Sequence, residues 1–432
     1  MNSYYIWTIG CQMNKADSER LASALEQMGL QPTDAPGDAD VIVLNSCVVR
    51  QSAEDKVVSM LGMVKPLKLR RPDRVVALMG CMVGPKADEL KARFPYVDAF
   101  ARPQQYKPIL DIIGQRMGLD WEGCVGTLTP PRPSVTAYVP VIHGCDLMCT
   151  FCIIPYRRGR QVSRPVEDVR REVELLVQRG VKEVTLLGQT VDAYGLDLPE
   201  KPDLADLFQA IHNIEGLLRI RFLTSHPIFM TERIIDAIAS LPKVCEHINL
   251  PVQAGDDVVL ERMRRRYHSD QYRRIIETIR KKIPNVGLST DVIVGFPGET
   301  EEQFQHTLEL LEEIRFDKVH VAAYSPRPGT FAWRKIPDDI PWQEKERRLK
   351  AVEQLQERIA TETNARLLGT HQEVLVEGRH KGKWQGRTRS DKLVFYSADD
   401  DQTGRLVTVR IERTSPWSLQ GVLEKAPVAS AT

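Results

Sequence analysis

Between residues 4 and 325, short apolar runs of strand length keep giving way to amphipathic stretches of helical length. That alternation is a tight constraint. Each strand must cross over through a helix to reach a parallel neighbour, so parallel α/β sheets are the expected product. In the first hundred residues, strands are predicted at 4–9, 41–45 and 75–79, with a helix over 17–28 stopped by Gly29. From residue 135 onward, strands are predicted at 136–142, 183–187, 218–224, 247–250, 287–294 and 318–324. The helices between them fall at 166–179, 204–213, 232–241, 270–283 and 301–314. Six strand–helix units are too few for an eight-fold barrel, so a partial (β/α)6 barrel is expected, with its chemistry on the loops that follow the strands. A charged helix over 342–367 leads to a different pattern after Gly369. Short strands at 373–376, 393–397, 406–413 and 418–423 suggest a small antiparallel β-barrel. A chain of 432 residues exceeds one ordinary core. The expected division is an N-terminal open parallel-sheet domain over 1–118, a linker over 119–134 containing Pro130-Pro131-Arg132-Pro133, a barrel over 135–365 and a terminal domain over 366–427.

Six of the eight cysteines sit just past predicted strands. Cys145, Cys149 and Cys152 share the loop Gly144-Cys145-Asp146-Leu147-Met148-Cys149-Thr150-Phe151-Cys152. Cys11, Cys47 and Cys81 are far apart in sequence, yet each follows an apolar run of the first domain. In open α/β sheets that carboxyl edge is where ligands bind, so distant cysteines can converge there. The N-terminus lacks the basic start and long apolar stretch of a signal peptide, and no apolar run approaches a membrane span, so a cytoplasmic location and no membrane association are expected. Thiols stay reduced there, and clustered cysteines read as metal ligands or catalysts rather than disulfides. A zinc site would want a second C-x₂-C unit or a His pair, and neither is present. Buried core thiols are the plain alternative for any one cysteine, and the expected reading of Cys124 and Cys245. Three thiolates can hold three irons of a four-iron cluster and leave the fourth iron open for a substrate.

The C-x₃-C-x₂-C loop on the first strand of a partial barrel resembles the radical S-adenosylmethionine (SAM) superfamily. That resemblance implies an open iron that chelates the methionine part of SAM and, on reduction, yields a 5′-deoxyadenosyl radical. Phe151 matches the aromatic position near the adenine. Leu187-Gly188-Gln189 stands where a Gly-Gly-Glu-like segment is usual, which implies that Gly188 and Gln189 touch the cofactor. The wider set of motifs is similar to the methylthiotransferase family: Gly10-Cys11-Gln12-Met13-Asn14, Asn45-Ser46-Cys47, Met79-Gly80-Cys81, Cys152-Ile153-Ile154-Pro155-Tyr156-Arg157-Arg158-Gly159-Arg160, Leu250-Pro251-Val252-Gln253, and the runs DVIVGFPGET over 291–300 and YSPRPGT over 324–330. The resemblance implies two 4Fe–4S clusters: a radical cluster on Cys145, Cys149 and Cys152, and an auxiliary cluster on Cys11, Cys47 and Cys81 that holds the sulfur to be transferred. It implies two uses of SAM, one for the methyl group and one for the radical; no catalytic side chain is assigned beyond the cluster ligands. The segments RIRFLTSHP (219–227), VCEHINLPVQ (244–253) and QGRTRSDKL (385–393) most resemble the branch acting on C2 of N6-isopentenyladenosine next to the tRNA anticodon. Alternatives are a threonylcarbamoyl-type tRNA adenosine, a ribosomal-protein aspartate, or a metal-stabilised RNA-binding protein without catalysis.

The net charge of +1 hides local asymmetry. Residues 378–392 are basic and include Arg379, Lys381, Lys383, Trp384, Arg387 and Arg389, a mix suited to phosphates and an unstacked base. The terminal region resembles a TRAM domain, an RNA-binding module of the family. Two more arginine runs, Arg157, Arg158, Arg160 and Arg164, and Arg262, Arg264, Arg265 and Arg266, flank the predicted barrel mouth. The implied partners are a tRNA anticodon stem-loop and an electron donor such as flavodoxin or ferredoxin, with the chain a monomer.

Overall fold

The computed structural model describes residues 1–48, 51–84, 87–126, 128–131 and 133–424. Arg132, the end of the expected terminal domain and the side chain of Cys124 lie outside the described residues. The first domain is a five-stranded parallel sheet of β1 (Ser3–Thr8), β2 (Gln31–Pro32), β3 (Val41–Ser46), β4 (Val75–Gly80) and β5 (Ala99–Ala101), in the order β2-β1-β3-β4-β5. β1, β3 and β4 are the expected strands, and the short edge strands β2 and β5 extend them. Every residue of β3 and β4 is buried, because both faces are covered. Val41, Val43, Val75 and Ala77 pack with Leu21 and Leu25 of helix α1 (Gln12–Gln27) on one face. Ile42, Leu44, Val76 and Leu78 pack with Val57, Leu61 and Val64 of helix α2 (Gln51–Arg70) on the other. The strand order reverses direction between β1 and β3. Such a switch point opens a crevice beyond the carboxyl ends of those two strands. The predicted linker is not bare: a helix spans Trp121–Cys124.

In the second domain β6 (Thr136–Pro140) is followed by β7 (Ile142–His143) and β8 (Val162–Ser163), a two-stranded antiparallel pair. β9 (Glu183–Leu187) and β10 (Arg219–Leu223) join β6 in one parallel sheet; β11 (His247–Asn249), β12 (Gly287–Val294) and β13 (Lys318–Ala323) form another. An Ile220–Val244 bridge and the Ser225 N–H donating to the Asn249 carbonyl link the two, so six strands form one partial barrel. Helices Val166–Gln178, Leu204–His212, Glu232–Ser240, Ser269–Lys282 and Glu301–Ile314 fall where the periodicity predicts them.

Helix Trp342–Ala365 leads to a closed five-stranded barrel of β14 (His371–His380), β15 (Lys383–Thr388), β16 (Leu393–Tyr396), β17 (Leu406–Thr414) and β18 (Leu419–Leu423). Its ladders are antiparallel except the parallel β16–β18 pair. Two buried arginines of β10 fasten it to the amino ends of the second domain's strands. Arg219 donates to the Arg387 and Glu373 carbonyls, and Arg221 to those of Thr388 and Arg389. Among the described residues no helix is long and apolar enough to cross a membrane.

Candidate functional site

The three distant cysteines meet at the carboxyl edge of the first sheet. Cys11 follows β1 and caps α1, Cys47 follows β3 and Cys81 follows β4. A polar clamp holds the strand ends. Asn14 Nδ2 donates to Asn45 Oδ1 at 3.0 Å and to the Ser46 carbonyl at 2.9 Å; Asn45 Nδ2 donates to the Asn14 carbonyl at 2.7 Å; Ser46 Oγ donates to the Met79 carbonyl at 2.6 Å. Gly10, at φ +142°, lets the chain pass: a Cβ there would sit 2.7 Å from Asn14 Oδ1 and 2.9 Å from Cys47 Cβ. Cys11 is exposed, whereas Cys47 and Cys81 are buried. Burial pushes the Cys81 thiol up to about 11, against the opposing pull of the Arg158 guanidinium, with Cys47 and Cys11 close enough to add to the rise. Such thiols do not ionise in isolation; a metal supplies the charge that takes them as thiolates.

The other triad lies on the loop between β7 and β8. Gly144, at φ +69°, has no room for a Cβ, which would fall 1.9 Å from the Arg160 carbonyl oxygen. Asp146 braces the loop by accepting from Arg160 Nε at 2.8 Å and the Gln161 N–H at 3.1 Å. Thr150 Oγ1 donates to the Arg262 carbonyl at 2.8 Å. Arg265 is buried with Nη1 3.5 Å from Cys149 Sγ, while its Nη2 donates to the Pro251 carbonyl at 2.9 Å. Cys145 Sγ lies 3.4 Å from Thr190 Oγ1. Burial, then the neighbouring Cys149, pushes the Cys152 thiol up to about 12. Phe151 sits edge-on to Phe296 with centroids 6.5 Å apart. Gly188 is buried where a Cβ would meet Ile142 Cγ2 at 2.3 Å, and Gln189 beside it is half-buried.

Two further groups at this mouth carry no site role in the sequence reading, which takes His226 as structural and assigns Asp192 none. Asp192, buried in a single 3₁₀ turn, accepts the His226 backbone N–H at 3.0 and 2.8 Å. Burial raises its carboxyl to about 8. The His226 ring, also buried, is pushed down to about 2 by desolvation and then by Arg265, and its Nε2 has no partner among the described residues.

The two triads share one domain interface. Met13 and Ala16, in the first turns of α1 after Cys11, pack on Leu187, the residue before Gly188. Ile153, the residue after Cys152, packs into the first domain's core with Cys81. Arg158, from the same loop, donates to Asp17 of α1 at 3.2 Å, and its charge acts on Cys81 and Cys11. Arg327, from the loop after β13, donates to Gln51 and acts on Cys47. Among the described residues no three His, Cys, Asp or Glu side chains come close enough to share one metal ion. Three thiols on each side suit a cuboidal cluster, in which each thiolate takes a different iron. The donor sets fit: three thiols on each side, and a buried Arg158 guanidinium that faces the Cys81 sulfur with N–H groups left without a well-formed hydrogen bond.

The basic segment divides. Arg379, Lys381 and Lys383 are exposed. Trp384 is not a stacking platform: it is buried in the small barrel's core with Val374, Val394 and Tyr396, and its Nε1 donates to the Ala398 carbonyl at 3.0 Å. Arg389 faces the second domain, paired to Glu246 at 2.7 Å, and Arg387 is tied to Asp391 at 3.2 Å. Alternation along β15 turns Trp384, Gly386 and Thr388 inward. The arginine runs at the mouth divide too. Arg158 and Arg265 are internal, Arg164 pairs with Glu172, and Arg264 lies over the Phe331 ring. Glu299 shapes its loop, accepting the Gly295 N–H at 2.6 Å and Arg348 at 2.9 Å. Cys245 is buried at the opposite end of the barrel, beside Arg221.

Comparison with known proteins agrees with this architecture. Residues 3–101 match the uncharacterized protein family UPF0004, residues 139–311 the radical SAM superfamily and residues 365–423 the TRAM domain. The chain is 52% identical over 427 residues to a tRNA-2-methylthio-N(6)-dimethylallyladenosine synthase of Roseiflexus sp. (strain RS-1), covering 98% of this chain and 90% of the relative. The synthase of Dehalococcoides mccartyi (strain CBDB1) is 50% identical, with 98% and 99% covered, and that of Dictyoglomus thermophilum 43%, with 98% of each. Among solved structures, the radical SAM methyltransferase TsrM from Kitasatospora setae superposes with a TM-score of 0.58 at 13% identity, over 77% of this chain and 74% of that one. The cobalamin-dependent radical enzyme OxsB gives 0.53 at 11%, over 82% and 56%. These two likenesses establish a radical SAM fold.

Proposed function

The chain belongs to the tRNA-2-methylthio-N6-dimethylallyladenosine synthases, the MiaB-type methylthiotransferases of the radical SAM superfamily, and from that premise we propose that it adds a methylthio group to C2 of N6-isopentenyladenosine beside the tRNA anticodon. It is a radical SAM tRNA methylthiotransferase, and membership brings a 4Fe–4S cluster and SAM. The proposal adds the second cluster, the two uses of SAM and the ligand assignment: Cys145, Cys149 and Cys152 for the radical cluster, and Cys11, Cys47 and Cys81 for the auxiliary one. When bound, the first supplies reductive cleavage of SAM and the second supplies the sulfur.

The chain's own residues do the positioning. Arg265 holds Cys149 in place and brings a positive charge to its sulfur; Thr190 steadies Cys145 with a neutral hydroxyl contact. Gly188 keeps the turn after β9 close to the loop, where a side chain would force them apart. Phe151 and Phe296 put ring edges at the mouth and help exclude water, which a reactive radical requires. His226 stays neutral there and offers Nε2 as an uncharged polar contact. Hydrogen abstraction by a radical needs no general base at its first step, and none is assigned. Exposed Arg379, Lys381 and Lys383 suit RNA phosphates. A flavodoxin or ferredoxin as electron donor, a monomeric state, a cytoplasmic setting and the domain division 1–118, 135–365 and 366–427 complete the reading.

One observation carries it: two cysteine triads at a single domain interface, in a chain that matches the synthases over nearly its whole length. Mass spectrometry of tRNA nucleosides from a strain lacking the gene tests it. The methylthio-isopentenyl nucleoside should disappear, its unmethylthiolated precursor should accumulate, and restoring the gene should reverse both. An unchanged nucleoside profile would defeat the assignment.

A further inference from the structure

The geometry points to Arg158 as a positioning residue that the barrel lends to the auxiliary cluster: its guanidinium, anchored by Asp17, seats that cluster and sets its reduction potential. The inference rests on the two-cluster reading and adds a residue to it. Arg158 lies six positions beyond Cys152, so its backbone belongs to the radical loop, yet its side chain crosses into the other domain. Nη2 meets Asp17 Oδ2 at 3.2 Å, with the two side chains 1% and 0% exposed. Asp17 in turn lies six positions beyond Cys11 on α1 and also accepts from the Tyr106 hydroxyl at 3.5 Å.

An ion pair this deeply buried is a poor source of stability, because stripping water from both charges offsets most of their attraction. A simple interdomain latch would at least use the fork of the guanidinium, with two nitrogens on one carboxylate. Here a single nitrogen meets Asp17. Nε and Nη1 are buried without a well-formed hydrogen bond, and the acceptor that the guanidinium faces is the Cys81 sulfur, a weak one as a thiol and a stronger one as a cluster-bound thiolate. The thiols that feel this cation are Cys81 and Cys11. Cluster sulfurs on those ligands are acceptors of the right kind, and donors or positive charge at cluster sulfurs favour the reduced state. The arrangement also gives the radical loop a direct hold on the partner cluster: the two can form their shared pocket only when the domains are docked.

The test uses the full chain, reconstituted anaerobically, with iron and sulfide counted and each cluster titrated by electron paramagnetic resonance against potential. The variants are Arg158→Lys, Asp17→Asn and the double Arg158→Gln/Asp17→Asn, which removes both charges at nearly constant shape. The radical cluster's potential should hold in all of them. The auxiliary potential should fall in the double variant by at least a tenfold change in the reduction equilibrium, 59 mV for one electron. It should rise in Asp17→Asn, where the cation is unopposed, and stay near wild type in Arg158→Lys. A merely structural latch would not give shifts of opposite sign. If the double variant fails to take up the second cluster, the sign in Asp17→Asn decides: a raised potential supports the role, and an unchanged or lowered one overturns it. About eight irons per wild-type chain with unshifted potentials in the variants would overturn this inference alone, whereas about four irons in the wild type would overturn the two-cluster reading and this one with it.

Discussion

Arg221 offers the sharpest test of how the TRAM barrel is fixed to the catalytic domain. Its Nε lies 2.9 Å from Glu183 Oε2 as a buried ion pair, with both side chains 5% exposed. Its other nitrogens donate to the Thr388 carbonyl at 2.6 Å and the Arg389 carbonyl at 2.9 Å. Arg221→Met keeps the apolar stem but strands the Glu183 carboxylate and takes one donor each from the Thr388 and Arg389 carbonyls, the first of which keeps the Asp391 N–H. Removing one partner of a buried pair costs about 3–5 kcal/mol. The carbonyls add little to this, since the Thr388 carbonyl keeps another donor and the Arg389 carbonyl is only part-buried. A domain the size of the catalytic one loses roughly 2–4 °C of Tm per kcal/mol, so its transition should fall by roughly 6–20 °C. The double variant Glu183→Gln/Arg221→Met removes the stranded charge and should recover more than half of the loss. Scanning calorimetry on the full chain measures the shifts, and limited proteolysis should show the TRAM barrel released in the single variant. A single variant melting within about 2 °C of wild type, or a double variant melting below the single, would refute this account of the interface.

Gly188→Ala should weaken SAM binding roughly tenfold or more, since overpacking costs about 1–3 kcal/mol; titration calorimetry should show Ile142→Leu, which vacates the clashing Cγ2 position, restoring part of it. Asp192 has its folded value raised to about 8 from the ordinary 3.8 by burial, so folding takes up a proton and stability falls as pH rises through that window. Thermal melts from pH 5 to 9 should show Asp192→Asn flattening this fall, and an unchanged slope would count against it. Lys381→Ala and Lys383→Ala should each reduce the salt dependence of RNA binding by about one unit of slope without moving Tm. Trp384→Phe should do the reverse, lowering Tm through the lost bond to Ala398 while leaving the salt slope alone.

The parallel strands were legible because each is a continuous apolar run between turn residues, and because the helices between them carry a clean helical period. Edge strands β2 and β5 were not, since two or three residues carry no period. β15 was hidden by its charge. KWQGRT reads as a basic surface, whereas its alternation turns Trp384 into the core and gives only every second residue to solvent. The cysteine triads could be read because their strand-end placement recurs. The cations that serve them could not: Arg158 and Arg265 sit in arginine-rich runs, and a charged residue is by default a solvated one. What marks them as internal is tertiary, a buried aspartate on another domain for one and a thiol for the other.

The division of labour between the triads is the central claim, and product analysis of two cysteine variants tests it directly. Reconstituted Cys149→Ala should form no 5′-deoxyadenosine from SAM. Cys47→Ala should still form some, yet leave the tRNA nucleoside without its methylthio group. Methylthiolated tRNA from Cys47→Ala, or 5′-deoxyadenosine from Cys149→Ala, would contradict the assignment of one triad to the radical and the other to the sulfur.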